Sequence, residues 1–318
     1  MLSGITWLGS GAFLFLAVVH GLAGDSSVPL VVLHAATAWV PLGVVPFLGL
    51  ALARRKGREA VPGVLTLVLW AVYNRPPLPT AALPEGIELR VVSANALMVN
   101  PTPDALVREV LAAQPDVLVF QELTPELQAE MAGVPGLVHR REHPEHHSFG
   151  VGLYSRYPIR SEWLVNIAGV DWQRAVLDVD GTDVEVWNVH TLPPFRAENH
   201  VAWQSQVAVL SDRAAKHEGP LVLAGDLNLT RHHASYGLLT ASLVDAFRDC
   251  GRWVAATWPA NGYFVPGAPK IRLDHVLLGG GVRCAAIAIG EGPGSDHRPV
   301  IADLVVPRAP AGSVRTGP

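Results

Sequence analysis

Apolar residues fall into two regimes along this chain. Between positions 5 and 74 they come in long runs; between 87 and 306 they come in short runs, each closing on polar residues. The first long run, ITWLGSGAFLFLAVVHGLA (5–23), carries no formal charge apart from a chargeable His20. The second, 28–53, holds no Asp, Glu, Lys or Arg before Arg54, and the third is AVPGVLTLVLWAVYN (60–74). A helix that crosses a bilayer needs about 20 apolar residues. The pattern therefore predicts three transmembrane helices at about 5–23, 28–53 and 60–74. The third is short and needs its flanks or neighbours; its alternative reading is a buried core helix. The first run lacks the positive amino-terminal region of a signal peptide. The connection GDSS (24–27) has one acid and no base, whereas RRKGRE (54–59) has four bases. Positive loops stay cytoplasmic. The amino terminus and 54–59 are expected inside, and 24–27 with everything after Asn74 outside.

The short-run regime predicts a folded domain over 87–306, after a Pro-rich linker (76–86) and before a loose tail (307–318). IELRVVSANALMVN (87–100) reads as a strand ending at Asn95, TPDALVREVLAAQ (102–114) as an amphipathic helix capped by Thr102, and PDVLVFQELT (115–124) as a strand ending at Glu122. SFGVGLYSRYPI (148–159) reads as a strand, and 174–191 as a hairpin turning at Asp180-Gly181. A helix over 198–217 precedes the strand LVLAGDLNLT (221–230). Residues 234–250 read as partly helical, IRLDHVLLGG (271–280) as a strand, and 290–306 as a loop feeding a last strand. Strands and helices mix without strict alternation, so the fold class is α/β: two packed mixed sheets flanked by helices, preceded by the transmembrane region 1–75.

Composition sharpens this. Mean hydropathy is +0.27, an excess concentrated in the first 74 residues. From position 81 onward the chain holds 19 Lys+Arg against 26 Asp+Glu. Nonspecific nucleic-acid binding relies on clustered bases that neutralise phosphates, so this acidic domain argues against such a partner. The two cysteines, Cys250 and Cys284, are free to pair outside the cytoplasm or to serve as buried hydrophobes.

The candidate chemistry lies at the strand ends. Asn95, Glu122, His190, Asp226, Asn228, Asp274, Asp296 and His297 each sit at or just past the end of an apolar run. If those ends share one rim of a sandwich, they converge. Hard divalent cations take oxygen ligands, and Mg²⁺ favours one or two carboxylates with phosphate oxygens and water. Glu122 and Asp296 suit that role, and histidines beside carboxylates suit charge stabilisation or proton transfer. No Gly-x-Ser-x-Gly, Walker or His-Glu-x-x-His pattern is present.

QE (121–122), NVHT (188–191), GDLN (225–228), LDHV (273–276) and SDH (295–297), in that order and together with Asn95, resemble the endonuclease/exonuclease/phosphatase (DNase-I-like) superfamily. The resemblance covers about 220 residues. It implies a four-layer α/β sandwich and Mg²⁺-dependent phosphoester hydrolysis, with Mn²⁺ as the alternative ion. It implies metal binding by Asn95, Glu122 and Asp296. Asp226 would orient or deprotonate a water, Asn228 would hold that water or a phosphate oxygen, and His190 would stabilise developing charge. His297 would contact the phosphate, oriented by Asp274. The apolar helices ahead of a compact domain further resemble membrane-anchored actinobacterial members of the teicoplanin-resistance-associated type. Anchoring on the outer face implies a phosphorylated, lipid-linked substrate in the envelope. A surface nuclease and a noncatalytic envelope sensor are the alternatives.

Further candidates are weaker. Arg174 and Arg272 are placed to clamp a phosphate or to stand as solvated strand ends, Tyr154 to meet substrate or to fill the core, Trp258 to meet substrate or to pack as a buried indole, and His232 and His233 follow closely enough to line the pocket without the spacing requiring it. HPEHH (143–147) reads as a solvated loop rather than a metal tract. The loops 192–200 and 259–270 are expected to shape specificity.

Overall fold

The computed structural model describes residues 2–75, 82–251, 255–260 and 270–308. Part of the predicted linker (76–81), most of the loop 259–270 and the tail from 309 onward lie outside the described residues.

The amino-terminal region corrects the expectation of three transmembrane helices. Helix α1 (Leu2–Ala23, 22 residues) is long and apolar enough to cross a membrane. The run 28–53 is not one helix. It divides into α2 (Val28–Ala35), a 3₁₀ turn (Val40–Val44) and α3 (Val45–Ala53), with a 79° bend between α2 and the rest. It counts as a second span only if that bent pair crosses as a unit. Proline is the cause: Pro29, Pro41 and Pro46 each stand at the start of a segment, where a missing N–H costs nothing, and none continues the turn before it. Helix α4 (Gly57–Tyr73) has 17 residues and begins with Arg58 and Glu59, below the spanning length. α3 and α4 pack with α1. Ser3 Oγ and Arg54 both donate to Glu59, which puts the basic connection beside the first turn of α1. At the other end the Tyr73 hydroxyl donates to the Ala17 carbonyl.

Twelve strands then form two six-stranded sheets. The first contains β1 (Ile87–Asn95), β2 (Val117–Gln121), β3 (His139–His143), β4 (Val151–Ser155), β11 (Arg283–Ile289) and β12 (Val300–Val306), in the order β11-β12-β1-β2-β4-β3. The second contains β5 (Ile159–Ile167), β6 (Val170–Val179), β7 (Thr182–His190), β8 (Leu221–Asp226), β9 (Val244–Asp245) and β10 (Asp274–Gly279), in the order β5-β6-β7-β8-β10-β9. Among the described residues, only β1–β2 and β7–β8 pair in parallel. Facing side chains such as Val91, Val119, Val186, Val222 and Val276 fill the space between the sheets. Alternate positions of the same strands pack outward under helices. Leu118 and Phe120 meet α5 (Pro103–Ala112) and α6 (Pro125–Glu130), while Trp187 and Leu223 meet α7 (Ala197–Ala215) and α8 (Ala234–Leu239). Strands covered on both faces read as unbroken apolar runs. The result is the predicted four-layer sandwich.

The hairpin turns at Asp180-Gly181, both at positive φ, as expected. The predicted strand 148–159 instead stops at Ser155, and the chain crosses at Tyr157-Pro158 into β5 of the other sheet. Cys250, at the end of α9 (Ala246–Asp249), is disulfide-bonded to Cys284 of β11, with Cα atoms 5.5 Å apart.

The amino-terminal helices dock on the sandwich by specific contacts. Val31 of α2 is fully buried in the cluster that holds Trp203 and Leu239. Asp25 accepts the Ser235 N–H at 2.7 Å, and its carbonyl accepts His200 Nε2 and Gln204 Nε2 at 2.8 Å. His233 Nε2 donates to the Val31 carbonyl, and Trp39 Nε1 to the Lys270 carbonyl.

Candidate active site

One rim of the sandwich collects the carboxyl ends of β1, β2, β7 and β8 and the amino ends of β10 and β12. Register places His190 and Asp274 on either side of Asp226. Gly225 permits the approach: a Cβ there would collide with the Val189 carbonyl, and its φ of 146° is open to glycine.

Asp226 is the hub. Its Oδ2 accepts Asn95 Nδ2 at 3.1 Å and lies 3.6 Å from His190 Nε2 and 3.5 Å from His297 Nε2. Its Oδ1 accepts the Asn228 N–H at 2.9 Å. Asn95 Nδ2 also reaches Glu122 Oε1 at 3.2 Å. Glu122 adopts φ 57°, a left-handed conformation that costs an L-residue with a Cβ roughly 1 kcal/mol. That turn folds its carboxylate back over the rim, where Oε2 accepts the Met98 N–H. His297 Nδ1 donates to Asp274 Oδ2 at 2.8 Å, and His190 Nδ1 donates to the Ser148 carbonyl at 3.0 Å.

The electrostatics follow from burial. Desolvation disfavours a charge on His297, but Asp274 and Asp226 outweigh it and hold the imidazole protonated up to about 10. Desolvation pushes Asp226 above the usual carboxylate range, against the pull of His297. Ligand atoms of Asp226, Asp274 and His297 lie within 4.8 Å of one another, close enough for a cation. An imidazolium is not a ligand, however, and His297 is already held between two carboxylates. The better starting point for a hard cation is the half-buried Glu122 carboxylate, an oxygen donor beside which the Asn95 amide bridges to Asp226. A cavity of about 90 Å³ opens beside Glu122, lined by Leu97, Met98, Asn100 and Glu126.

Asn228 sits at φ 47°, which Asn tolerates, and its Nδ2 donates to the Thr191 carbonyl at 2.8 Å. Asp296 is half-buried, and its Oδ2 accepts the Trp258 indole N–H at 3.2 Å, so Trp258 flanks the site. The other weaker candidates are corrected. Arg174 Nε donates to Glu185 at 2.5 Å, and its guanidinium lies over Trp163 and Trp187, away from the rim. Arg272 is buried and forked onto Asp245. Tyr154 is buried against Phe120 and donates to Glu142. His232 and His233 face the anchor instead of the pocket. Of the stretch 143–147, read as a solvated loop, His143 instead ends β3, half-buried and hydrogen-bonded to Glu162, while 145–147 are exposed.

Two residues that support the site went unpredicted. Thr257 Oγ1 accepts the N–H groups of Leu273 and Asp274. Ser295 Oγ donates to the Asn95 carbonyl and accepts the His297 N–H, tying β1 to the loop before β12. The signal was present in SDH and TWP, but their partners are remote in sequence.

Comparison with known proteins agrees with this architecture. The model of the Endonuclease/Exonuclease/phosphatase family matches residues 92–297. No curated protein matches the sequence significantly. Truncated TDP2 of Caenorhabditis elegans superposes with a TM-score of 0.60 at 17% identity, over 70% of this chain and 99% of that one. TDP2 of D. rerio, complexed with single strand DNA product, gives 0.60 at 18% identity, over 68% and 98%. The endonuclease/exonuclease/phosphatase of Beutenbergia cavernae gives 0.57 at 23% identity, over 71% and 73%. Identities this low establish a shared fold. The family match spans the whole rim from β1 to His297, and the chain belongs to the endonuclease/exonuclease/phosphatase family.

Proposed function

We propose that this chain is a membrane-anchored, metal-dependent phosphoester or pyrophosphate hydrolase whose site lies outside the cytoplasm and takes a lipid-linked phosphate. The observation that carries the reading is the position of the rim. The loop after the Asp226–Asn228 strand end and the segment before Asp274 are, with α7 and α8, among the parts hydrogen-bonded to the apolar helices, through His232, His233 and Lys270. The mouth therefore opens beside the bilayer in which α1 would sit. Two further observations support the side. The bases at 54–58 lie at the end of the bundle away from the domain, and the Cys250–Cys284 disulfide belongs to an oxidising compartment. The exposed Met98 and Val99 give the mouth an apolar lip. The likeness to the teicoplanin-resistance-associated type rests on the anchor alone.

Mechanistically, Asp226 is placed to orient a water and take its proton, the more so because burial raises its basicity. The His297 imidazolium, fixed by Asp274, offers an N–H to charge developing on phosphate oxygens, and His190 flanks the same point. Asn95, Glu122 and Asp296 would hold the cation, Mg²⁺ by donor type, which supplies charge neutralisation and water activation. A surface nuclease is the second reading, favoured by the TDP2 likeness and opposed by the acidic domain. The test is phosphate release by the full chain in detergent, with polyprenyl pyrophosphate and DNA as rival substrates. Mg²⁺-dependent release from the lipid, falling at least a hundredfold in Glu122→Ala and Asp226→Ala, is expected. Turnover of DNA alone would replace this reading with the nuclease, and activity unaltered by both variants would end the enzyme reading.

A further inference from the structure

At the seam between anchor and catalytic domain, three imidazoles from three segments crowd together. His20 is in the last turns of α1, His34 in the last turn of α2, and His232 in the loop after β8. The His20 ring centroid lies 4.5 Å from that of His34 and 6.4 Å from that of His232.

Hydrogen bonds fix two of the tautomers. His34 Nδ1 donates to Asp25 Oδ1 at 2.7 Å, and His20 Nε2 donates to the His232 carbonyl at 3.2 Å. In each neutral ring the opposite nitrogen is a lone pair. Those two atoms, His34 Nε2 and His20 Nδ1, are buried without a hydrogen-bond partner, and His34 as a residue is 1% exposed. The ring nitrogens of His232 make no hydrogen bond to the described residues either. Burial, with the Arg231 guanidinium next, lowers His232 to about 3, so its ring stays neutral. A buried acceptor left without a partner pays its full desolvation cost. Two of them at one seam call for an electron-pair acceptor between them.

The surroundings resemble the outer shell of a metal centre. A metal-binding histidine donates its other ring N–H to a carboxylate or carbonyl, which sets its tautomer and orientation. His34 does so to Asp25, itself fixed by the Ser235 N–H, and His20 does so to a backbone carbonyl. Tetrahedral coordination with metal–nitrogen distances of about 2.0–2.1 Å puts two imidazole centroids roughly 5 Å apart. The observed spacings are 4.5 and 6.4 Å and the three sets of ligand atoms do not all lie within 4.8 Å of one another, so completing the set means drawing the His232 ring inward.

We propose that His20, His34 and His232 bind one borderline divalent transition-metal cation, zinc by donor type, which clasps the anchor to the loop behind the catalytic strand. The site is separate from the oxygen-rich rim and selects a different ion.

The test uses the untagged full chain in detergent, with excess Mg²⁺ to saturate oxygen sites and Co²⁺ as the probe. One equivalent of Co²⁺ should give the visible absorption of a nitrogen-ligated, four-coordinate ion. Its affinity should be unchanged in Asp226→Asn and at least tenfold weaker in His20→Asn and His34→Asn. Absence of the band in the unaltered chain, or its loss in Asp226→Asn with retention in His34→Asn, would overturn the proposal. A second measurement does not depend on variants folding. X-ray absorption of the unaltered chain with one equivalent of zinc should show at least two imidazoles, and an oxygen-only shell, as from a lone water site, would overturn it.

Discussion

Ser295 illustrates how much a single hydroxyl carries at the rim. It bonds at once to the Asn95 carbonyl and the His297 N–H, so it sets the distance between the cation cradle and the imidazolium. Ser295→Ala leaves both buried groups unpaired, at roughly 1–3 kcal/mol. We expect kcat to fall about tenfold with KM little changed, and the denaturation midpoint to drop. A kcat equal to that of the unaltered chain would mean the tie does not position His297. Asp226, Asn95 and His297 were legible because short local motifs carry them. Arg174, Arg272 and Tyr154 stayed open between substrate contact and a structural place because their partners, Glu185, Asp245 and Glu142, meet them only through tertiary pairing. A charged side chain near a motif looks available until the carboxylate that occupies it is known.

Elements were legible wherever apolar runs were covered on both faces. They were missed at the sheet edges. β3, with the sequence His-Arg-Arg-Glu-His, has no hydrophobic pattern and is a strand because β4 offers it a partner. The run 28–53 failed differently: its hydrophobicity was read and its three prolines were not weighed. A buried pair between elements yields a pH prediction. Asp245 caps α9 and joins it to Arg272 beside β10. Burial opposes its charge, but Arg272 overcomes this and lowers the carboxyl from 3.8 to about 2. A depressed folded-state pKa gives stability that is present above 3.8 and lost as pH falls toward 2. The amount is on the order of 2 kcal/mol. Urea midpoints between pH 5 and 2 should therefore fall more steeply for the unaltered chain than for Asp245→Asn; parallel curves would contradict the assignment.

At the scale of the molecule, the amino-terminal helices and the sandwich share a core. Val31 fills a slot among Trp203 and Leu239, and full burial of a valine is worth about 1.5–3 kcal/mol. A domain beginning at residue 82 loses that side chain and the partners of Ser235, His200 and Gln204. In the same detergent it should melt roughly 5 °C or more below the full chain. Equal melting temperatures would show that the two parts are merely tethered. This shared core was not legible in the sequence, where the long apolar runs and the short ones looked like separate bodies joined by a linker.

If the amino-terminal helices anchor the chain as proposed, their hold on the loop after β8 also governs how substrate is encountered. A mouth held at fixed height beside a membrane helix would not sample the surrounding volume; it would sweep a plane. Its rate is then set by the mole fraction of substrate among neighbouring lipids and by their lateral diffusion. Diluting the membrane with inert lipid would slow turnover, whereas adding buffer would not.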